Sequence, residues 1–147
     1  AGVTAAVDYL AGLGTGEGRR PRLLDAMGRI AAHEADLSGR FLRGAAGIGG
    51  LRVYGVRDPE LLEWRTPTFA VSVAGRHPDE VAAILAARGI FTWSGHYYAV
   101  EAMRHLGVLD EGGLVRIGFV HYTTRNEVDR VLDDLGAIAA GSLGQVS

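Results

Sequence analysis

Two reactive side chains are missing from this sequence. It has no cysteine, which excludes disulfides, thiolate nucleophiles and cysteine-rich metal sites. It has no lysine either, and all 15 basic residues are arginine. Without a side-chain amine the chain cannot by itself form a Schiff base with a cofactor aldehyde or a substrate carbonyl. A GC-rich genome would produce the same arginine bias, as would a chain whose lysine-bearing part lies elsewhere. Also absent are an apolar run of the roughly 18–20 residues needed to span a bilayer and a recognisable signal peptide. Formal net charge is only −2, with no basic stripe. Neither a membrane nor nucleic acid is therefore an expected partner, and the expected location is cytoplasmic. The first residue is Ala1 and not methionine, so a chain trimmed or cut from a longer one is expected.

What is present suits a folded domain. The sequence has 147 residues, of which 48% are hydrophobic and 22% charged, a balance unlike that of disordered chains. Val3, Val7 and Leu10 recur at helical spacing, and the run Gly12–Gly18 ends that segment. A second periodic segment from Pro21 to about Ala46 carries Leu23, Leu24, Met27, Ile30, Leu37, Phe41, Leu42 and Ala45. Gly47, Gly49 and Gly50 stop it.

Beyond Gly50 the period shortens. Leu51–Val56 and Thr68–Val73 read as strands, with a turn at Asp58–Pro59 between them. His77-Pro78-Asp79-Glu80 opens a helix that Gly89 closes, and acidic residues in its first turn suit the helix dipole. Ile90–Trp93 reads as a third strand, followed by a helical stretch with Ala99, Met103 and Leu106. Leu114–Phe119 reads as a fourth strand. Thr124 and Glu127 have capping-box spacing ahead of Val128, Val131, Leu132, Leu135 and Ile138 on one helical face. The expected fold class is α+β: a small two-layer domain with a roughly four-stranded sheet covered by helices, plus a long N-terminal helix. That helix either packs on the outer helices or bridges to a second body of protein, and the bridge is the preferred reading.

Several candidate chemistries fail on spacing. His96 and His121 stand near strand ends, but no HExxH-like pattern or acidic cluster accompanies them, so no metal site is expected. Ser94 lacks a G-x-S-x-G elbow. The glycine runs at 12–18 and 47–50 lack the phosphate-loop and dinucleotide patterns. A more informative group is Trp93-Ser94-Gly95-His96-Tyr97-Tyr98 together with Arg116. Arg116 lies between Val115 and Ile117 on a strand, and a guanidinium in an apolar setting needs a partner. Its fork suits a carboxylate, either structural or belonging to a ligand.

The stretches Gly89–Ala99, Leu106-Gly107 and Val115–Thr124, with Glu127-Val128-Asp129, resemble the C-terminal domain of class V aminotransferases, and within them the cysteine-desulfurase-like proteins. Ala1–Leu10 resembles the helix that follows the cofactor-binding lysine segment in those proteins. The resemblance implies a two-domain, homodimeric enzyme of the aspartate aminotransferase fold type, whose missing large domain or companion chain holds pyridoxal phosphate and the Schiff-base lysine. It divides this chain into a helix and Gly-rich connection (1–20), a long bridging helix (21–50) and the small α+β domain (51–147). It gives Arg116 the substrate α-carboxylate and places His96 on the substrate-side loop. It sets Tyr98 where sulfur-mobilising members carry the persulfide-forming cysteine, and Thr123 where many carry Asn. A phenol cannot form a persulfide, so desulfuration, transamination and elimination on a small amino acid all stay open. The implied whole is a pyridoxal-phosphate-dependent transferase or lyase; this chain supplies its substrate side, holds no cofactor alone and is not catalytically competent alone. The alternative is a standalone, non-catalytic α+β interaction or regulatory domain.

Overall fold

A computed structural model describes residues 1–144. Helix α1 (Gly2–Gly12) turns back onto α2 (Arg19–Ala46) through the predicted glycine-rich connection. The turn is tight because Gly14 sits against α2, where an added Cβ would lie 2.0 Å from the Arg22 carbonyl oxygen. Asp25 secures it by accepting from the Thr15 backbone N–H at 2.8 Å and the Thr15 hydroxyl at 3.0 Å. These bonds, the backbone N–H first, hold its carboxyl below the usual carboxylate range. Ala11 and Ala26 are buried, whereas Val3, Leu24 and Met27 are exposed.

The second part is a four-stranded antiparallel sheet in the order β1-β2-β4-β3, built from β1 (Leu51–Tyr54), β2 (Thr68–Val73), β3 (Trp93–Gly95) and β4 (Leu114–Gly118). The remaining helices are α3 (Pro78–Ala87), α4 (Val100–His105) and α5 (Arg125–Ala139). Strand alternation sends Val53, Phe69, Val71, Val73, Val115 and Ile117 to one face, which α2, α3 and α5 cover. Phe41 of α2, Phe69 of β2 and Phe119 just past β4 meet at ring-centroid separations of 4.2, 5.5 and 5.8 Å. The half of α2 from Leu37 onward thus belongs to the core of the α+β unit. The capping box at Thr124 is formed: its hydroxyl accepts from the Glu127 N–H, and the Glu127 carboxylate accepts from the Thr124 N–H. Among the described residues no helix is long and apolar enough to cross a membrane.

Three expectations need correction. Ile90–Trp93 is not a strand; pairing with β4 begins only at Trp93, opposite Arg116, and runs to Gly95 opposite Leu114. β1 ends at Tyr54, and the turn expected at Asp58 is instead a 3-10 helix, Pro59–Trp64, kinked at Leu61 and capped by the Asp58 carboxylate. The reverse face of the sheet carries a smaller apolar cluster. Leu114 packs there with Met103 and Val108, and Tyr54, Ala70, Tyr97 and Leu109 flank the cluster.

Candidate functional site

The site grows from the β3–β4 pair. Trp93 and Arg116 are register partners, so their side chains project from the same face of the sheet, the one turned away from the main core. Arg116 is exposed, while its neighbours Val115 and Ile117 are buried on the opposite face. The apolar setting expected for Arg116 is therefore corrected: in a strand the flanking residues face the other way. Among the described residues its guanidinium makes no ion pair. It is instead flanked by two rings, with Cζ 5.2 Å from the Tyr97 centroid and 5.8 Å from that of Trp93.

Past β3 the chain turns sharply through Gly95 (φ 110°), Tyr97 (φ 52°) and Tyr98 (φ 62°). Two successive non-glycine residues in the left-handed region are uncommon, and local bonds hold them there. The Tyr98 N–H donates to His96 Nδ1 at 3.1 Å, which leaves the neutral ring's proton on Nε2. The Tyr97 hydroxyl donates to the Leu114 carbonyl, and the Trp93 carbonyl is 3.3 Å away. Burial pushes the Tyr97 phenol well above its ordinary pKa, an effect that the Arg116 charge partly offsets. Ser94 faces the other way and donates to the Asp79 carboxylate, at the start of α3, at 2.5 Å.

The structure thus sorts the candidate residues. His96 and Tyr98 adjoin each other, with their rings edge-on at 6.3 Å, and Tyr98 is 95% exposed. Arg116 is faced by Tyr97 and Trp93 and not by Tyr98. His121 lies elsewhere: its Nε2 is 2.8 Å from the Tyr9 hydroxyl of α1. Thr123 accepts from the Val120 N–H through its hydroxyl, and its carbonyl is 2.9 Å from His33 Nε2. Sequence reasoning missed Arg65. This side chain donates to the carbonyls of Val56, Thr66 and Thr68 and stacks 4.0 Å from the Phe69 centroid, which ties the β1–β2 connection to the sheet. Its burial lowers its pKa. An arginine at the junction of a turn and a strand was the only available signal.

Thr68, Phe91, Thr92, Trp93, Arg116 and Gly118 line a groove of about 480 Å³, within the range that holds small molecules. Phe91 is 88% and Trp93 60% exposed. A larger hollow of about 630 Å³ lies beside Leu42, Arg52 and Asp58. Its lining sets an acid beside its arginines: Asp58, which caps the 3-10 helix, stands with Arg57 and with Arg52, which stacks on Tyr54. The 480 Å³ groove is the better site because no acid is among its lining residues, whereas Asp58 lines the larger hollow, and among the described residues Arg116 pairs with no carboxylate. A carboxylate entering it would meet a fork of N–H donors able to bind both oxygens. For a cofactor aldehyde the chain offers no lysine. Its own residues do not fit covalent pyridoxal phosphate binding.

A family model described as aminotransferase class-V matches residues 23–131. The chain is 28% identical over 137 residues to a cysteine desulfurase of Pectobacterium carotovorum, a match covering 93% of this chain and 28% of that protein. A solved cysteine desulfurase from Thermococcus onnurineus is 31% identical with a TM-score of 0.73, covering 84% of this chain and 29% of that one. A cysteine desulfurase of Escherichia coli shares the fold at 22% identity and a TM-score of 0.66, over 88% and 32% of the two chains. The chain spans between 15% and 30% of the length of the curated relatives it matches.

Proposed function

The chain belongs to the class V aminotransferase family, and from that premise we propose that it is the substrate-side small domain of a pyridoxal-phosphate-dependent enzyme acting on a small amino acid. A larger, lysine-bearing domain or companion chain supplies the cofactor site, and the complete enzyme is a cytoplasmic homodimer of the aspartate aminotransferase fold type. The observation that carries this reading is Arg116, exposed at the rim of a groove that no carboxylate lines among the described residues. The guanidinium fixes the charge and plane of the substrate α-carboxylate, and so sets which bond at the α-carbon is presented for cleavage. When bound, the cofactor supplies an electron sink for charge developing at that carbon. His96, with Nδ1 engaged by the Tyr98 N–H, presents Nε2–H as a hydrogen-bond donor on the substrate-side loop. Tyr98 bounds that loop as a contact residue and does not accept sulfur, so the reaction is not persulfide-forming desulfuration through this position.

The test compares Arg116→Lys and Arg116→Leu in the complete protein, using the amino acid and the matching amine without a carboxylate. Charged hydrogen bonds are worth about 1.5–3 kcal/mol. The Leu variant loses about 10- to 150-fold in kcat/KM on the amino acid and far less on the amine; the Lys variant falls between. Equal losses on both substrates would make Arg116 structural. No lysine-bearing partner and no turnover would favour an interaction domain.

A further inference from the structure

An exposed arginine side chain has many rotamers, and ordering it costs about 2 kcal/mol of side-chain entropy. Proteins usually fix such a group with a carboxylate, which also cancels its charge. Arg116 is fixed differently: Tyr97 and Trp93 face its guanidinium at 5.2 and 5.8 Å, and among the described residues no carboxylate pairs with it. We infer that Tyr97, backed by Trp93, is a positioning residue: its ring holds the Arg116 guanidinium on the open face of β4 without neutralising it, so that an incoming carboxylate meets a cation already placed. This rests on the assignment of Arg116 to a substrate carboxylate.

The surroundings of Tyr97 suit that task. Its ring is anchored at the far end, where the hydroxyl donates to the carbonyl of Leu114, two residues before Arg116 on the same strand. Its positive φ turns the ring back over the sheet, whereas the next residue, Tyr98, points into solvent. Trp93 reaches the guanidinium from β3, as the register partner of Arg116. The ring faces attract a cation through their quadrupoles, and neither competes for the N–H donors that a carboxylate needs. An acidic side chain in the place of Tyr97 would fix Arg116 equally well and block the site.

The experiment uses NMR of this chain, observing the Arg116 Nε–H group, with L-alanine and ethylamine as probes. Arg116 should show an upfield ring-current shift relative to the other arginines and restricted motion. Tyr97→Leu should remove the shift, free the side chain and weaken L-alanine binding about two- to fivefold, the equivalent of about 0.5–1 kcal/mol. Tyr97→Phe keeps the ring, so the shift should persist and affinity should stay within about twofold. Arg116→Leu should abolish binding of L-alanine, and ethylamine should bind no variant. If Arg116→Leu abolishes binding while Tyr97→Leu leaves shift, motion and affinity unchanged, the positioning role is wrong and the carboxylate site stands. If L-alanine does not bind the wild type, or binds Arg116→Leu equally well, the carboxylate site itself fails. Should Tyr97→Leu not fold, a wild-type Arg116 signal without a ring-current shift, or a mobile one, overturns the inference.

Discussion

Arg40 of α2 closes on Asp129 of α5 through two hydrogen bonds, Nε to Oδ1 at 2.5 Å and Nη2 to Oδ2 at 2.6 Å. One turn earlier on both helices, Arg125 donates to Asp36 at 2.7 Å. The charges are crossed, acid on α2 meeting base on α5 and then the reverse, so sliding one helix by a turn would set like charges together. Arg40→Asp should lower the melting temperature by about 2–4 °C, and adding Asp129→Arg should restore most of the loss. Strictly additive losses in a thermal-melt double-mutant cycle would show that the pair carries no coupling.

The same contacts give stability a direction with pH. Arg125 holds the Asp36 carboxyl below the usual range and Arg40 does the same for Asp129. For Glu127 the Thr124 backbone N–H is the main cause, and for Asp25 the Thr15 N–H. A carboxyl with a lowered folded-state pKa binds its proton more readily in the unfolded chain. Its stabilisation is complete above the unfolded value and lost as pH falls through the folded one. Melting temperature should hold near neutrality and decline below about pH 4. Salt should flatten the part due to Asp36 and Asp129, because these pairs are solvent-accessible. A melting temperature that rises on acidification through that range would contradict the assignment.

Much of this was legible beforehand. The Thr124–Glu127 spacing located the start of α5 to the residue, because the box is a local bond pattern written in four positions. Thr68–Val73 was read at its observed limits, because one face of the strand is apolar and the other is not. The environment of Arg116 was misjudged from its apolar neighbours, which in a strand belong to the opposite face. Ile90–Thr92 has strand-forming residues, yet the ladder with β4 begins only at Trp93, although β4 itself runs on to Gly118. The anchoring of Arg65 and the ring of Tyr97 over Arg116 depend on how distant segments meet, and no local pattern encodes that.

Adjacent tyrosines with the same backbone conformation should respond oppositely to glycine. Both have positive φ, where a side chain costs about 1 kcal/mol. The Tyr98 side chain is 95% exposed, so Tyr98→Gly should stabilise the fold by up to about 1 kcal/mol. Tyr97→Gly removes a ring anchored on Leu114 and packed beside Met103 and Val108, and it should destabilise. Urea unfolding of both variants measures the pair; destabilisation by Tyr98→Gly would mean that its ring has a packing role.

Mixed with pyridoxal phosphate and treated with borohydride, the chain alone should acquire no label on any internal side chain. The reason is the missing lysine. Peptide mapping by mass spectrometry distinguishes side-chain attachment from adventitious reaction at the amino terminus. A stoichiometric internal label would overturn the view that the cofactor amine comes from another part of the enzyme.

The order β1-β2-β4-β3 also shapes how the chain is made. β4 is the last of these four strands in chain order, yet it occupies an interior place, pairing Thr68 of β2 with Gly118 on one side and Trp93 of β3 with Arg116 on the other. Until Gly118 has left the ribosome, the β1–β2 hairpin keeps an open edge and β3 has nothing to bond. Nascent chains therefore pass through a long interval in which Phe69, Ala70 and Val71 lack their partners on β4. Open edges and exposed apolar strands are the ordinary route to misassembly, so chaperone dependence should concentrate between the emergence of β2 and that of β4.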